Sequence, residues 1–209
     1  MPPALSLLHG EASLDALVDA LPLHGWATLA IDAAHPLLAA ARVEALDHAD
    51  NGRLAAAATG RADGRQFAGL RGDATLWLDD PACGTAARDL LRALDELRVA
   101  LNRRLLLGLD AVEAHFAHYP PGAGYARHRD RFRSDDARVL SLVLYLNPGW
   151  PDAAGGALRL HLSGGPQDIA PRQGTLALFL SADIEHEVLP ADRPRLSVAA
   201  GFRQRPLRR

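Results

Sequence analysis

A chain of 209 residues with 48% hydrophobic and 23% charged residues can build one domain around a substantial core. Its net charge of −2 gives no general attraction to nucleic acid or an anionic membrane, and no apolar run reaches the roughly 20 residues that span a bilayer. The single cysteine, Cys83, excludes an internal disulfide and multi-cysteine zinc modules; with no secretory pattern at the N-terminus, the expectation is a cytoplasmic protein.

The first half reads as helical. Ser13 is placed to cap a helix running to Leu21, with Leu14, Leu17, Val18 and Leu21 on one face. Gly25–Ile31 is short, apolar and flanked by turn residues, which predicts a strand. A second helix is expected from about Ala34 to Ala49, with Leu37, Leu38, Ala41 and Leu46 as its stripe. Gly60–Asp80, rich in Gly, Arg and Asp, reads as a lid. The longest helix follows Thr85 as N-cap and carries Leu90, Leu91, Leu94, Leu97, Leu101 and Leu105 at helical spacing.

From Val112 the period falls to two. Strands are expected at Val112–Tyr119, Tyr125–Asp130, Val139–Asn147, Ala157–Leu162, Thr175–Leu180, His186–Leu189 and Arg195–Phe202. Turn-rich stretches separate them, notably Asn147–Gly156 and Ser163–Pro166. The order predicts an α+β fold, a double-stranded β-helix (jelly roll) buttressed by N-terminal helices. It would be one domain: a helical and lid portion over 1–111, the core over 112–202 and a basic tail over 203–209.

One constellation carries chemistry. In an extended strand His128 and Asp130 point to the same side, and His186 returns from a later strand. Two imidazoles and a carboxylate occupy one face of an octahedral Fe(II) and leave positions open for substrate and O2. Arg195, nine positions after His186, can hold an anionic second ligand; in a chain whose 23 basic residues are all arginine, any anion anchor must be arginine, histidine or a backbone amide. A zinc site built from His115, His128 and His186 is a competing reading, which leaves Asp130 and Arg195 without a role. His9, His24, His35, His48 and His161 read as structural or surface residues, and Cys83 as a bland buried or loop thiol.

Several blocks, in order, carry a resemblance: Leu70-Arg-Gly-Asp-Ala-Thr-Leu-Trp-Leu78, Tyr119-Pro-Pro-Gly-Ala-Gly-Tyr-Ala-Arg-His-Arg-Asp130, Tyr145-Leu-Asn147 with Trp150, Gly155-Gly-Ala-Leu-Arg-Leu160, then His186 and Arg195. On these the chain resembles the prolyl 4-hydroxylases, and among them the oxygen-sensing HIF prolyl hydroxylases and their bacterial relatives. The resemblance implies His128, Asp130 and His186 as iron ligands. It implies Arg195 and Tyr145 on the distal carboxylate of 2-oxoglutarate with Tyr119 beside it, and Arg71, Asp73, Tyr125 and His115 around the substrate. Fe(II), 2-oxoglutarate and O2 would be required, with ascorbate as a supporting reductant. The product would be a hydroxylated prolyl residue in a protein partner, with release of succinate and CO2.

There are departures. Many relatives carry a tryptophan where this chain has Gly201, and Ala199 stands where relatives place a hydroxyl residue. Related readings are an oxygenase acting on another amino acid, a small molecule or alkylated nucleic acid; Arg203 and Arg209 have the spacing of the last, but in a tail of a chain that is not basic. A non-catalytic, cupin-like metal-binding protein would keep the metal site without needing Tyr145 and Arg195.

Overall fold

The change of period near residue 110 separates a helical layer from a β core, and three short strands stitch the two together. The structure is a computed structural model that describes residues 10–57, 70–130 and 137–205. Residues 60–69 of the lid expected over Gly60–Asp80, His9 and the tail beyond 205 lie outside the described residues.

Helix α1 (Glu11–His24) starts three residues earlier than the Ser13 cap implies: Gly10 is the N-cap, no side chain among the described residues caps it, and Gly25 closes the helix in the left-handed region at φ 76°. Leu14, Leu17 and Leu21 are its buried face. Strand β1 is Trp26–Ala30. Helix α2 (Pro36–Asp50) has proline in its first turn and His35 Nδ1 accepting from the Leu37 amide at 3.2 Å. Its buried face is Leu38, Ala41, Ala45 and, against expectation, His48.

Strands β2 (Ala55–Ala56) and β3 (Ala74–Trp77) precede α3 (Thr85–Leu105), whose N-cap is Gly84 rather than Thr85. The orphan amides of that helix are met from another element: the Glu44 carboxylate accepts from Gly84, Ala86 and Ala87 at 2.6, 3.0 and 3.3 Å. A carboxylate at a helix N-terminus also complements the helix dipole. No cap of this kind is visible in local sequence.

The remaining strands are β4 (Leu109–Tyr119), β5 (Tyr125–His128), β6 (Arg138–Tyr145), β7 (Leu158–Leu162), β8 (Gly165–Ile169), β9 (Thr175–Leu180), β10 (Glu185–Val188) and β11 (Arg195–Gln204). All pair antiparallel. Among the described residues one sheet has seven strands in the order β1-β9-β6-β11-β4-β3-β2, and the other four, β5-β10-β7-β8. The helical portion is therefore not a separate unit, since β1, β2 and β3 extend the larger sheet. Strand β8 overlaps the turn expected at Ser163–Pro166; Gly165-Pro-Gln-Asp-Ile169 is almost wholly exposed, an edge strand with no alternation to betray it.

The larger sheet sorts its residues by parity. Leu140, Leu142, Leu144 and Leu146 join Leu90, Leu94, Leu97 and Leu101 of α3 in the core on the helical side. Tyr145, on the opposite face, packs with Tyr119, Tyr125 and Phe179 between the two sheets. The site lies in that second space.

Candidate active site

His128 ends β5 and His186 lies opposite it in register on β10. Asp130 does not continue the strand as expected; it sits two residues beyond, in a bend, and still converges on the histidines. His128 Nε2 is 3.5 Å from Asp130 Oδ1, and His186 Nε2 is 3.8 Å from Asp130 Oδ2. One ligand atom from each residue lies within 4.8 Å of the other two. That donor set is two nitrogens and one oxygen on one side of a pocket, with the other side open, and it fits an octahedral divalent iron.

Second contacts aim the donors. His128 Nδ1 is 2.7 Å from the Ala126 carbonyl and His186 Nδ1 is 3.3 Å from that of Ile184. With Nδ1–H donating there, each Nε2 lone pair is left facing the pocket. Tyr125 stacks on the His128 ring at 3.6 Å, and Phe179 meets His186 edge-on at 4.7 Å. Ser141 donates to Asp130 Oδ2 at 2.6 Å and shares a 2.7 Å hydrogen bond with Ser181. Burial pushes the His186 imidazole down to about 4, so it is neutral near pH 7. Burial works against the Asp130 carboxylate, but His186, His128 and Arg138 outweigh it and hold its pKa well below the usual range.

In the same pocket is an anion-binding end. Arg195 is only 2% exposed, yet no carboxylate among the described residues pairs with it. Its Nε donates to the Gly156 carbonyl at 3.0 Å and its Nη1 to Ser197 at 3.4 Å, and it lies 5.0 Å from the ring centres of both Tyr119 and Tyr145. The Tyr145 hydroxyl is buried with no hydrogen-bond partner among the described residues. Burial raises the Tyr145 phenol above its ordinary value, with Arg195 pulling the other way, so it stays a donor. An unpaired buried guanidinium beside an unsatisfied phenol costs stability unless an anion completes it. A carboxylate of a small dicarboxylic ligand fits both.

The backbone around Arg195 is built for this. Asn147 donates to the Pro171 and Leu196 carbonyls and accepts from the Leu196 amide, pinning the start of β11. Gly156, at φ 74°, approaches so closely that a Cβ would stand 3.0 Å from Trp150 and 2.9 Å from Ala191. The Gly155–Gly156 block thus earns its place as a close approach.

At the mouth, residues 70–72 lie beside β5: the Ala126 amide donates to Leu70 and the Gly72 amide to Gly124, at 2.8 and 2.9 Å. Arg71 forms a two-pronged ion pair with buried Asp73 at 2.6 and 2.9 Å, stands 5.0 Å over the Tyr125 ring and comes within 3.4 Å of His115 Nε2. His115 lines the pocket as alternation implies, but it faces Arg71 and is not part of the ligand cluster. The zinc reading from His115, His128 and His186 therefore fails on geometry. Burial and then Arg71 push His115 down to about 4.

The sequence reading missed Arg138, Glu113, Ser141 and Ser181. The signal for Ser141 was present: it is a polar residue sharing the inward parity of Tyr145 in the run Val139–Leu144 that is otherwise Val and Leu. Arg138 pairs with Glu113 at 2.7 Å and reaches within 3.7 Å of Asp130, a contact no local pattern encodes.

A model of the 2OG-Fe(II) oxygenase superfamily matches residues 114–203. A prolyl-4-hydroxylase from Pseudomonas putida is 44% identical, with a TM-score of 0.82, over 92% of this chain and 100% of that one. A Trichoplax adhaerens prolyl hydroxylase, solved with a hypoxia inducible factor oxygen degradation domain peptide fragment, is 26% identical with a TM-score of 0.81, over 91% of this chain and 89% of that one. A Phytophthora capsici prolyl 4-hydroxylase at 21% identity shares the fold, with a TM-score of 0.74 over 98% of this chain and 66% of its own. The chain belongs to the prolyl 4-hydroxylase family of 2OG-Fe(II) oxygenases.

Proposed function

We propose that this chain hydroxylates a prolyl residue of a protein or peptide, consuming 2-oxoglutarate and O2 and releasing succinate and CO2. The carrying observation is the pairing, in one pocket, of the His128–Asp130–His186 cluster with Arg195, which has no carboxylate partner among the described residues, and the unsatisfied Tyr145 hydroxyl. A non-catalytic metal-binding protein has no use for the second half of that pairing.

In this reading His128, Asp130 and His186 hold Fe(II), which supplies the redox chemistry coupling oxidation of 2-oxoglutarate to C–H hydroxylation. Ser141 holds the second oxygen of Asp130, which keeps that carboxylate in one orientation. Arg195 and Tyr145 bind the far carboxylate of 2-oxoglutarate and so fix which end of the cosubstrate faces the metal cluster. Tyr119 covers the Arg195 guanidinium and excludes water from the ion pair. Arg71, Asp73, Tyr125 and His115 form the rim that receives the substrate peptide, and their contact with β5 links the rim to the metal-bearing strand. Ascorbate as a supporting reductant and a cytoplasmic setting belong to the same proposal.

Anaerobic addition of Fe(II) and 2-oxoglutarate tests the site directly. A visible metal-to-ligand charge-transfer band is expected in the native chain and, at the same concentrations, not in Arg195→Ala. An equally strong band in that variant would refute Arg195 as the anchor.

A further inference from the structure

A second group of ligating side chains lies on the helical side of the larger sheet. Glu44 and His48 are four apart on α2, so they share one helix face. Cys83 comes from the turn before α3 and packs with Ala41, Ala45 and Ala87 in the helical core. One ligand atom from each of Glu44, His48 and Cys83 falls within 4.8 Å of the other two, and Glu44 Oε1 is 3.8 Å from His48 Nε2.

His48 is the observation that needs explaining. It is 2% exposed, and among the described residues neither ring nitrogen has a hydrogen-bond partner. A buried imidazole without a partner forfeits the hydration of two polar atoms and gains nothing in return. Glu44 has capacity to spare. Its Oε1 accepts from the Gly84 amide and its Oε2 from those of Ala86 and Ala87, which leaves a lone pair of Oε1 on the His48 side. Among the described residues the Cys83 sulfur makes one hydrogen bond, donating to the Trp77 carbonyl at 3.3 Å.

We infer that Glu44, His48 and Cys83 form a second metal site, for a borderline divalent ion of the zinc class. The donor chemistry selects the ion: one thiolate, one imidazole and one carboxylate suit zinc. Tetrahedral bond lengths place such donors about 3.3–3.6 Å apart, so side-chain movement of about 1 Å closes the set. A solvent molecule completes four-coordination. The ion ties α2 to the turn that opens α3. This site contains the chain's only sulfur ligand from cysteine, which separates it spectroscopically from the His128–Asp130–His186 cluster.

The test is a Co(II) titration of the full-length, metal-free chain, kept reduced and anaerobic. Two ions per chain are expected, one of them producing a near-ultraviolet thiolate-to-cobalt charge-transfer band that added Zn(II) bleaches. Cys83→Ser should remove the band and one of the two equivalents while circular dichroism stays native. His186→Ala should keep the band. Cobalt binding to the native chain without a thiolate band overturns the inference, whatever the variants do, and so does uptake of two ions by Cys83→Ser.

Discussion

Arg138 occupies the space that Gly201 leaves open: a Cβ on Gly201 would stand 2.6 Å from Arg138 Nε. The position where many relatives carry tryptophan is here filled by a guanidinium from the neighbouring strand β6, which also touches Glu113 and Asp130. Gly201→Trp must evict Arg138 from both. Overpacking of this kind costs about 1–3 kcal/mol, and thermal unfolding of the metal-free variant should register it. Unchanged stability would mean that Arg138 relocates without loss.

Arg195→Ala should raise the KM for 2-oxoglutarate far more than it alters binding of Fe(II). Loss of an oriented buried ion pair costs about 2–5 kcal/mol, or roughly thirty-fold to several thousand-fold in affinity. Tyr145→Phe removes one hydrogen bond to the same charged group, so a smaller effect of about 1.5–3 kcal/mol is expected. Steady-state kinetics with varied 2-oxoglutarate distinguish the two, and a larger effect for the tyrosine would reverse the assigned roles.

Arg71→Ala breaks the ion pair with Asp73 at the mouth and leaves the metal cluster untouched. Hydroxylation of a peptide should fall while succinate formed without a peptide persists. Equal loss of both would place Arg71 in the cosubstrate site instead.

The metal-free protein should lose stability as the pH is lowered. His115 and His186 titrate at about 4 in the fold, against about 6.5 for an unfolded chain. Above that unfolded value neither state binds a proton and the two histidines are silent. Between about 6.5 and 4 the unfolded chain takes up protons that the folded one refuses, so each lowers stability by up to about 1.4 kcal/mol per pH unit. Urea unfolding at a series of pH values measures this; a flat profile across that window would show that the rings charge freely in the fold.

The β core and the candidate ligands were legible because both rest on short-range rules. Parity alone put Tyr145 opposite Leu140, Leu142 and Leu144, and His115 beside Tyr119. What parity cannot reach is contact between elements distant in sequence. The Glu44 cap on α3, the burial of His48 beside Cys83 and the reach of Arg138 across Gly201 each join such elements, and Asp130 leaves its strand because β5 ends at His128. Strand β8 escaped for a different reason: an exposed edge strand has no buried face to impose a pattern.

We assign 2-oxoglutarate-coupled prolyl hydroxylation to the His128–Asp130–His186 cluster. Its most direct test is to incubate the native chain and Asp130→Ala with Fe(II), 2-oxoglutarate, O2 and a proline-containing peptide library. Succinate is assayed, together with the mass gain of one oxygen on proline. The native chain should form both products and the variant neither. Undiminished turnover by Asp130→Ala, or succinate formation with oxygen added only to residues other than proline, would overturn that assignment.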